Sequence, residues 1–140
     1  MKTQRPFFTF RLLPGRFAVL RLDPGAAIPE WALRGDFFSV TRTDDELSIV
    51  CRQEQAAPDV TCSADWVCLK LLGPFDFDET GVVAAVTSII ADEDIGVFVV
   101  STFDGDHLLV KATDFPATVL ALEGRGHAVD TTALRLPFSK

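Results

Sequence analysis

The sequence has few cysteines and no pattern among them that indicates a metal or disulfide site. The three cysteines are an odd number, and none of them forms a C-x-x-C pair. Small proteins held together by metals or disulfides usually carry closely spaced or paired cysteines. We therefore predict three reduced and mostly buried thiols, which are typical of a cytoplasmic protein.

Long apolar segments and a surplus of positive charge are also missing. No apolar run approaches the roughly 18 residues of a membrane-spanning helix, and no apolar core of a signal peptide follows Met1-Lys2-Thr3. The formal net charge of −7 argues against nucleic acid, because binding to a phosphate backbone depends on Lys and Arg. We expect a cytoplasmic protein with no nucleic-acid or membrane partner.

The motifs of the common catalytic and phosphate-binding sites are absent. Ser101 lies outside a G-x-S-x-G sequence, and Gly124-Arg125-Gly126 is too short to be a nucleotide-binding fingerprint. His107 and His127 are isolated and lack the spacing of metal ligands. An isolated histidine of this kind is more often a surface or hydrogen-bonded structural residue. The sequence thus predicts no catalytic residue, no cofactor and no metal.

The chain has enough hydrophobic residues, 48% of 140, to form one compact domain or two small fused ones. In its first part, alternating segments around Pro14-Gly15 and around residues 43–45 predict two β-hairpins. Residues 26–33 predict a short helix between the hairpins. Residues 53–63 are a polar connector. We predict two domains, residues 1–60 and residues 61–140.

The second part has clearer signals. Residues 67–72 are apolar on both faces, which predicts a central strand. The segment from Asp76 to Glu79 fits a capping box in front of a helix. Two strands follow around residues 104–106, then a helix capped by Thr113 or Asp114 and a last strand at residues 127–130. The side chains expected to point inward are Leu69, Leu71, Val82, Val83, Val86, Ile89, Ile90, Val99, Leu109, Leu120 and Ala121.

This β-α-β-β-α-β order is that of a ferredoxin-like unit, and its polar residues collect at two places that can lie side by side. The first is the helix start, where unpaired N–H groups suit a carboxylate. There Gly81, expected in the first helical turn, suggests close approach by a ligand or a strand. The second is the strand-to-strand turn, which contains Ser101, Thr102, Asp104, Asp106 and His107. The oxygens of Thr102, Asp104 and Asp106 suit an ammonium or guanidinium group. Alternatively, the acids only cap the helix and Asp104-Gly105 is an ordinary hairpin turn.

Three segments, LLGPFDFDETGVVAAV, VFVVSTFDGDHLLV and FFSVTRTDDELSIVC, resemble the ACT-domain proteins. The similarity is to the CASTOR arginine sensors and the regulatory ACT modules of aspartate kinases, and it extends from about Arg16 onward. It implies an α+β fold of two tandem ACT-like (ferredoxin-like βαββαβ) units packed side by side, the first of them reduced. It also implies the ligand-binding residues Asp78, Glu79, Gly81, Val82, Val83, Thr102, Phe103 and Asp106.

The resemblance implies an amino-acid-binding regulatory or sensor protein without catalysis of its own. Glu79 and Asp106 together favour a ligand with a second cationic group, such as arginine or lysine. The sensors carry two ACT pairs and bind ligand between them, whereas this chain has one pair, so we expect a homodimer. The alternative is an ACT-fold dimerisation or interaction module with a vestigial pocket that docks on an enzyme.

Overall fold

The structure is a computed structural model that describes residues 7–72 and 81–135, and these residues fall into two compact units. The central unit comprises Gly15–Trp66, and the terminal unit combines Met1–Pro14 with Val67–Lys140. These units differ from the predicted division into residues 1–60 and 61–140. The reason is that the first strand pairs within the terminal unit and that one long strand runs from the central unit into the terminal one.

The central unit is an antiparallel sheet. Its strands are β2 (Phe17–Leu22), β3 (Ser39–Arg42), β4 (Leu47–Arg52) and the first half of β5 (Thr61–Leu71). They lie in the order β3-β4-β2-β5. The core consists of Ala18, Leu20, Ala32, Leu47, Ile49 and Cys51. The predicted β3–β4 hairpin is confirmed, and the hydroxyl of Thr43 accepts hydrogen bonds from the N–H groups of Asp45 and Glu46 at 3.1 and 3.2 Å.

The helix predicted at residues 26–33 is shorter than expected. Only Glu30–Leu33 form a helical turn, of the 3-10 type, and a second 3-10 turn covers Gln53–Gln55. Pro29 precedes the first turn in an extended conformation. Because a proline disfavours the helical conformation of the residue before it, the helix cannot extend back through Ile28.

The terminal unit has the predicted β-α-β-β-α-β order. Its elements are the second half of β5, α1 (Val82–Ala91), β6 (Phe98–Ser101), β7 (Asp106–Lys111), α2 (Phe115–Gly124) and β8 (Ala128–Asp130). Two further 3-10 turns cover Ala112–Asp114 and Thr132–Arg135. β5 is central, as predicted, because it pairs on both of its edges. The α+β class predicted from the sequence is therefore confirmed.

The additional strand β1 (Thr9–Leu12) lies between β8 and β5, which gives the order β8-β1-β5-β7-β6. Phe10 pairs with Leu71 of the antiparallel strand β5 and with Val129 of the parallel strand β8. The predicted hairpin of β1 with β2 is therefore wrong. The physical reason is burial, since Phe8, Phe10 and Leu12 join the core of the terminal unit.

Helix α1 begins later than the sequence suggested. Its N-cap is Gly81, with φ of +81°, so the expectation that Gly81 lies in the first helical turn is wrong. A left-handed residue interrupts a right-handed helix, and α1 therefore begins at Val82. The predicted capping box from Asp76 to Glu79 lies outside the described residues.

Most side chains predicted to point inward do so. The core of the terminal unit includes Phe8, Phe10, Leu12, Val67, Leu69, Leu71, Val82, Val86, Ile89, Ile90, Ile95, Leu108, Val110 and Leu122, with Val99 and Ala121 packed against it. Leu109 is also buried.

Two of the inward predictions are wrong, because Val83 is 36% exposed and Leu120 is 73% exposed. The buried stripe of α1 contains Val82 and Val86, and Val83 lies about 100° round the helix from Val82. In α2 the buried stripe contains Thr118 and Leu122, which places Leu120 on the far side.

Candidate functional site

The start of α1 and the β6–β7 turn lie at the same end of the terminal unit. α1 ends at Ala91, residues 92–97 lead back to β6, and β6 ends at Ser101 before the turn, so the start of α1 lies at the end of the sheet where β6 ends. β5 ends at Leu71. The β6–β7 turn lies beside this end, because a Cβ atom added to Gly105 would lie 3.4 Å from the carbonyl oxygen of Leu71. The start of α1 and the turn therefore occur at one end of the sheet.

The carboxylate of Asp106 also shares a sheet face with α1. Val99 pairs with Leu108, and both contact the core that α1 covers. Ser101 pairs with Asp106 two residues further along each strand. Alternate residues of a strand point to the same face, so Ser101 and Asp106 project on the helix side of the sheet.

The first turn of α1 offers backbone N–H groups. The first helical hydrogen bond runs from the N–H of Ala85 to the carbonyl of Gly81 at 2.9 Å, and the N–H groups of the three preceding residues have no partner within the helix. No described atom lies within 4 Å of the position of a Cβ on Gly81. The left-handed conformation of Gly81, with φ of +81°, favours glycine at this position. Among the described residues, no strand approaches Gly81 closely, and the approach of a ligand stays a prediction.

The turn between β6 and β7 is held by Thr102. Its N–H donates to the carbonyl of Gly105 at 2.7 Å. Its hydroxyl lies 3.1 Å from the same carbonyl and accepts from the N–H of Gly105 at 3.3 Å. Thr102 therefore stabilises the turn with its side chain. Phe103, at the tip of the turn, is 76% exposed.

Ser101 contacts one of the predicted ligand-binding residues, although the predicted ligand-binding set did not include it. Its hydroxyl donates a hydrogen bond to Oδ1 of Asp106. The bond fixes the carboxylate and leaves Oδ2 as its second acceptor. The register of the hairpin could have revealed this pair, since a turn over residues 102–105 places Ser101 directly opposite Asp106.

The neighbouring histidine has a depressed pKa. Burial is the main reason that the pKa of His107 is lowered, and the positive charge of Lys70 lowers it further, whereas Asp106 acts in the opposite direction. By strand alternation, His107 and Lys70 lie on the sheet face away from α1. The ring is therefore mostly neutral at neutral pH and does not add a positive charge near the carboxylate.

The structure thus brings Gly81, Val82 and Val83 to the same end of the unit as the turn that contains Thr102, Phe103 and Asp106. Asp78 and Glu79 lie outside the described residues, and their predicted roles remain predictions. In the described ranges, no group of three or more His, Cys, Asp or Glu side chains could hold a metal ion. Within residues 7–72 and 81–135, no helix has the length and apolar character needed to cross a bilayer.

Comparison with known proteins identifies two matching family models. The model described as ACT domain matches residues 61–124, and a model for an N-terminal domain of a second family matches residues 15–59. No curated protein sequence matches the chain.

Solved structures provide three informative similarities. The protein Atu0741 of Agrobacterium tumefaciens is 48% identical, with a TM-score of 0.85 over 89% of this chain and 93% of that one. VC0802 of Vibrio cholerae, described as a possible transport protein of unknown function, is 18% identical, with a TM-score of 0.68 over 84% of this chain and 88% of that one. The regulatory subunit of aspartate kinase from Thermus thermophilus is 12% identical, with a TM-score of 0.58 over 81% of this chain and 94% of that one.

The resemblance to ACT-domain proteins that the sequence suggested is therefore confirmed by the match over residues 61–124 and by the shared fold. The similarity to the CASTOR sensors in particular stays a prediction. The chain belongs to the same family as Atu0741 of Agrobacterium tumefaciens, and its residues 61–124 are an ACT domain.

Proposed function

We propose that the terminal unit is a regulatory module that binds an amino acid and has no catalysis of its own. One observation supports this function. The Asp106 carboxylate and the first turn of α1 lie at the same end of the terminal unit and on the same face of its sheet. An α-amino acid carries a carboxylate and an ammonium group on one carbon. The N-terminal N–H groups of a helix suit the carboxylate, and Oδ2 of Asp106 suits the ammonium group.

A further feature supports this proposal. The fold is shared with a regulatory subunit of aspartate kinase. The ligand favoured by our proposal has a second cationic group, because Glu79 would add a second acid beside Asp106. Arginine and lysine are the amino acids that meet this requirement.

The proposal includes a homodimer in the cytoplasm that acts on an enzyme partner. The CASTOR sensors, which this chain resembles, hold their ligand between two ACT pairs. A dimer of this chain would supply the same number of pairs. The cytoplasmic location fits the three free cysteines, which persist in reducing compartments.

Light scattering at micromolar concentration should give twice the 15.3 kDa of one chain. A single-chain mass with and without arginine would contradict the dimer.

The binding proposal is tested by calorimetry of the wild type with arginine, lysine and the other amino acids. Asp106→Asn should weaken binding by about 1.5–3 kcal/mol, the contribution of a hydrogen bond to a charged group. Ser101→Ala should weaken it by about 0.5–1.5 kcal/mol, because the carboxylate loses the bond that orients it. Asp104→Asn is the matched control, since Asp104 is an exposed turn residue and its loss should leave affinity unchanged.

A thermal-shift screen of all amino acids provides an independent measurement. A ligand at about 100 times its dissociation constant stabilises the folded protein by about 2.7 kcal/mol. Equal affinity of the wild type and Asp106→Asn would place the ligand elsewhere. If no amino acid binds, the alternative of an interaction module gains support, and the exposed ring of Phe103 at the tip of the β6–β7 turn is then the first residue to substitute in partner-binding assays.

A further inference from the structure

His127 connects the first strand of the terminal unit to its last strand. Its Nδ1 accepts a hydrogen bond from the backbone N–H of Phe8 at 2.9 Å, and the next residue, Ala128, donates its N–H to the carbonyl of Phe8 at 3.0 Å. The backbone N–H of His127 donates to the carbonyl of Leu122 at 3.1 Å. A neutral imidazole that accepts at Nδ1 carries its proton on Nε2.

The imidazole ring is enclosed by aromatic side chains and is only 8% exposed. It stacks on Phe8 with ring centres 5.3 Å apart, and it meets the edges of Phe7 at 6.2 Å and Phe10 at 6.1 Å. Gly126 has φ of +92°, and a Cβ atom there would lie 2.7 Å from the ring of Phe7. The chain before His127 is therefore fixed by both its conformation and its packing.

The surroundings of the ring favour its neutral form. Burial lowers the pKa of His127, and the positive charge of Arg125 lowers it further. Arg125 itself donates a hydrogen bond to Asp92 at 3.1 Å. A second proton on the ring would occupy Nδ1 and remove the acceptor that the N–H of Phe8 uses.

Other charged groups of the packed elements lie away from the ring. Arg11 of β1 and Asp130 of β8 alternate with core residues and therefore project from the opposite face of the sheet. Glu123 of α2 is exposed. None of these three is among the charges that shift the pKa of His127.

We propose that His127 is a proton-sensitive latch that holds the start of β1 in the sheet and releases it when the ring takes up a second proton. The release would expose Phe8 and Phe10, which belong to the core. The release of β1 would also alter the end of β5 beside the candidate site. Leu72, which directly follows β5, donates its N–H to the carbonyl of Thr9 at 2.9 Å, and this bond would be lost. The inference does not depend on which ligand the protein binds.

The size of the response follows from proton linkage. The folded pKa lies below the unfolded value of about 6.5, so the open form binds protons that the closed form does not. The stabilisation is complete above about pH 6.5 and decreases as the pH falls towards the folded pKa. The ratio of open to closed β1 should therefore rise up to about tenfold per pH unit in this range.

Hydrogen exchange of the full chain tests the latch. Between about pH 6.5 and about pH 5.5, the protection of the Phe8 amide, corrected for intrinsic exchange, should fall up to about fivefold in the wild type. His127→Asn places a side-chain oxygen near the position of Nδ1 but cannot titrate, so its protection should not change with pH. His107→Asn removes the other histidine of the chain and should keep the wild-type response.

Two results would overturn the latch. One is pH-independent protection of β1 in the wild type, and the other is an undiminished pH response in His127→Asn. If His127→Asn does not fold, nitrogen chemical shifts of the His127 ring in the wild type provide a second measurement. Ring protonation should coincide with the loss of protection at Phe8, and protonation without that loss also contradicts the proposal.

Discussion

Substitution of Phe10 by alanine should destabilise the terminal unit more than it destabilises the central unit. The ring of Phe10 is fully buried, and its backbone is held on both sides by Leu71 and Val129. The paired strands cannot close around the missing ring, so the cost should be about 3–5 kcal/mol. That is a large share of the roughly 5–15 kcal/mol by which a domain is stable.

Two spectroscopic signals separate the units. Within the described residues, both α-helices belong to the terminal unit, so far-ultraviolet circular dichroism reports mainly on this unit. Trp31 and Trp66 are the two tryptophans of the chain and lie in the central unit, which is therefore followed by fluorescence. In Phe10→Ala, the urea midpoint by circular dichroism should decrease by about 1 M or more, given a denaturant dependence of about 1–3 kcal/mol per molar.

Thr9→Ala is the matched control, because Thr9 is the exposed neighbour of Phe10 on the same strand. Its effect should stay within about 0.5 kcal/mol. The reasoning is refuted if Phe10→Ala shifts the fluorescence transition and leaves the dichroism transition in place. That result is what a β1–β2 hairpin would produce.

Three further measurements check the local structure. Ile90→Ala should lower the free energy of unfolding in urea by about 2–5 kcal/mol, because Ile90 is buried. Val83→Ala should lower it by less than about 1 kcal/mol, because Val83 is partly exposed. Similar costs for the two variants would mean that the buried face of α1 is assigned wrongly. Gly81→Ala should destabilise the protein by about 1–2 kcal/mol, because residue 81 has a positive φ. Gly124→Ala should stabilise the protein by about 0.4–1 kcal/mol. Thermal unfolding of the two variants measures both effects. A thiol reagent should modify Cys62 alone in the native protein and three thiols in denaturant, since Cys62 is exposed and burial raises the pKa of the other two thiols to about 11 and about 12.

The elements that the sequence predicted correctly are those with local signals. The β3–β4 hairpin has turn residues between two alternating segments, and Thr43 caps the turn with its own hydroxyl. Helix α2 has Pro116 in its first turn, where the missing N–H costs nothing. In both elements the interactions that decide the structure lie within a few residues of each other, so the pattern alone is sufficient.

The errors concern partners that are distant in sequence. Alternation in β1 predicts a strand with one buried face, but it does not say whether Phe10 pairs with the next strand or with Leu71 and Val129. The start of α1 is a different case. The capping pattern from Asp76 to Glu79 indicates an earlier start, whereas the left-handed conformation of Gly81 makes the helix begin at Val82. At the candidate site, the sequence predicted the β6–β7 turn from its local Asp104-Gly105 signal, whereas the Ser101–Asp106 bond depends on strand register.

The pairing of β1 has a consequence for synthesis of the chain on the ribosome. β1 is translated before both of its partners, and residues 13–127 separate it from β8. At about 5–20 residues per second, the apolar side chains of β1 wait on the order of ten seconds for β8. The central unit is contiguous in sequence and can fold during this interval. During this interval the nascent chain carries the unpaired apolar side chains of β1, and such exposed apolar segments favour aggregation or chaperone binding until the sheet closes.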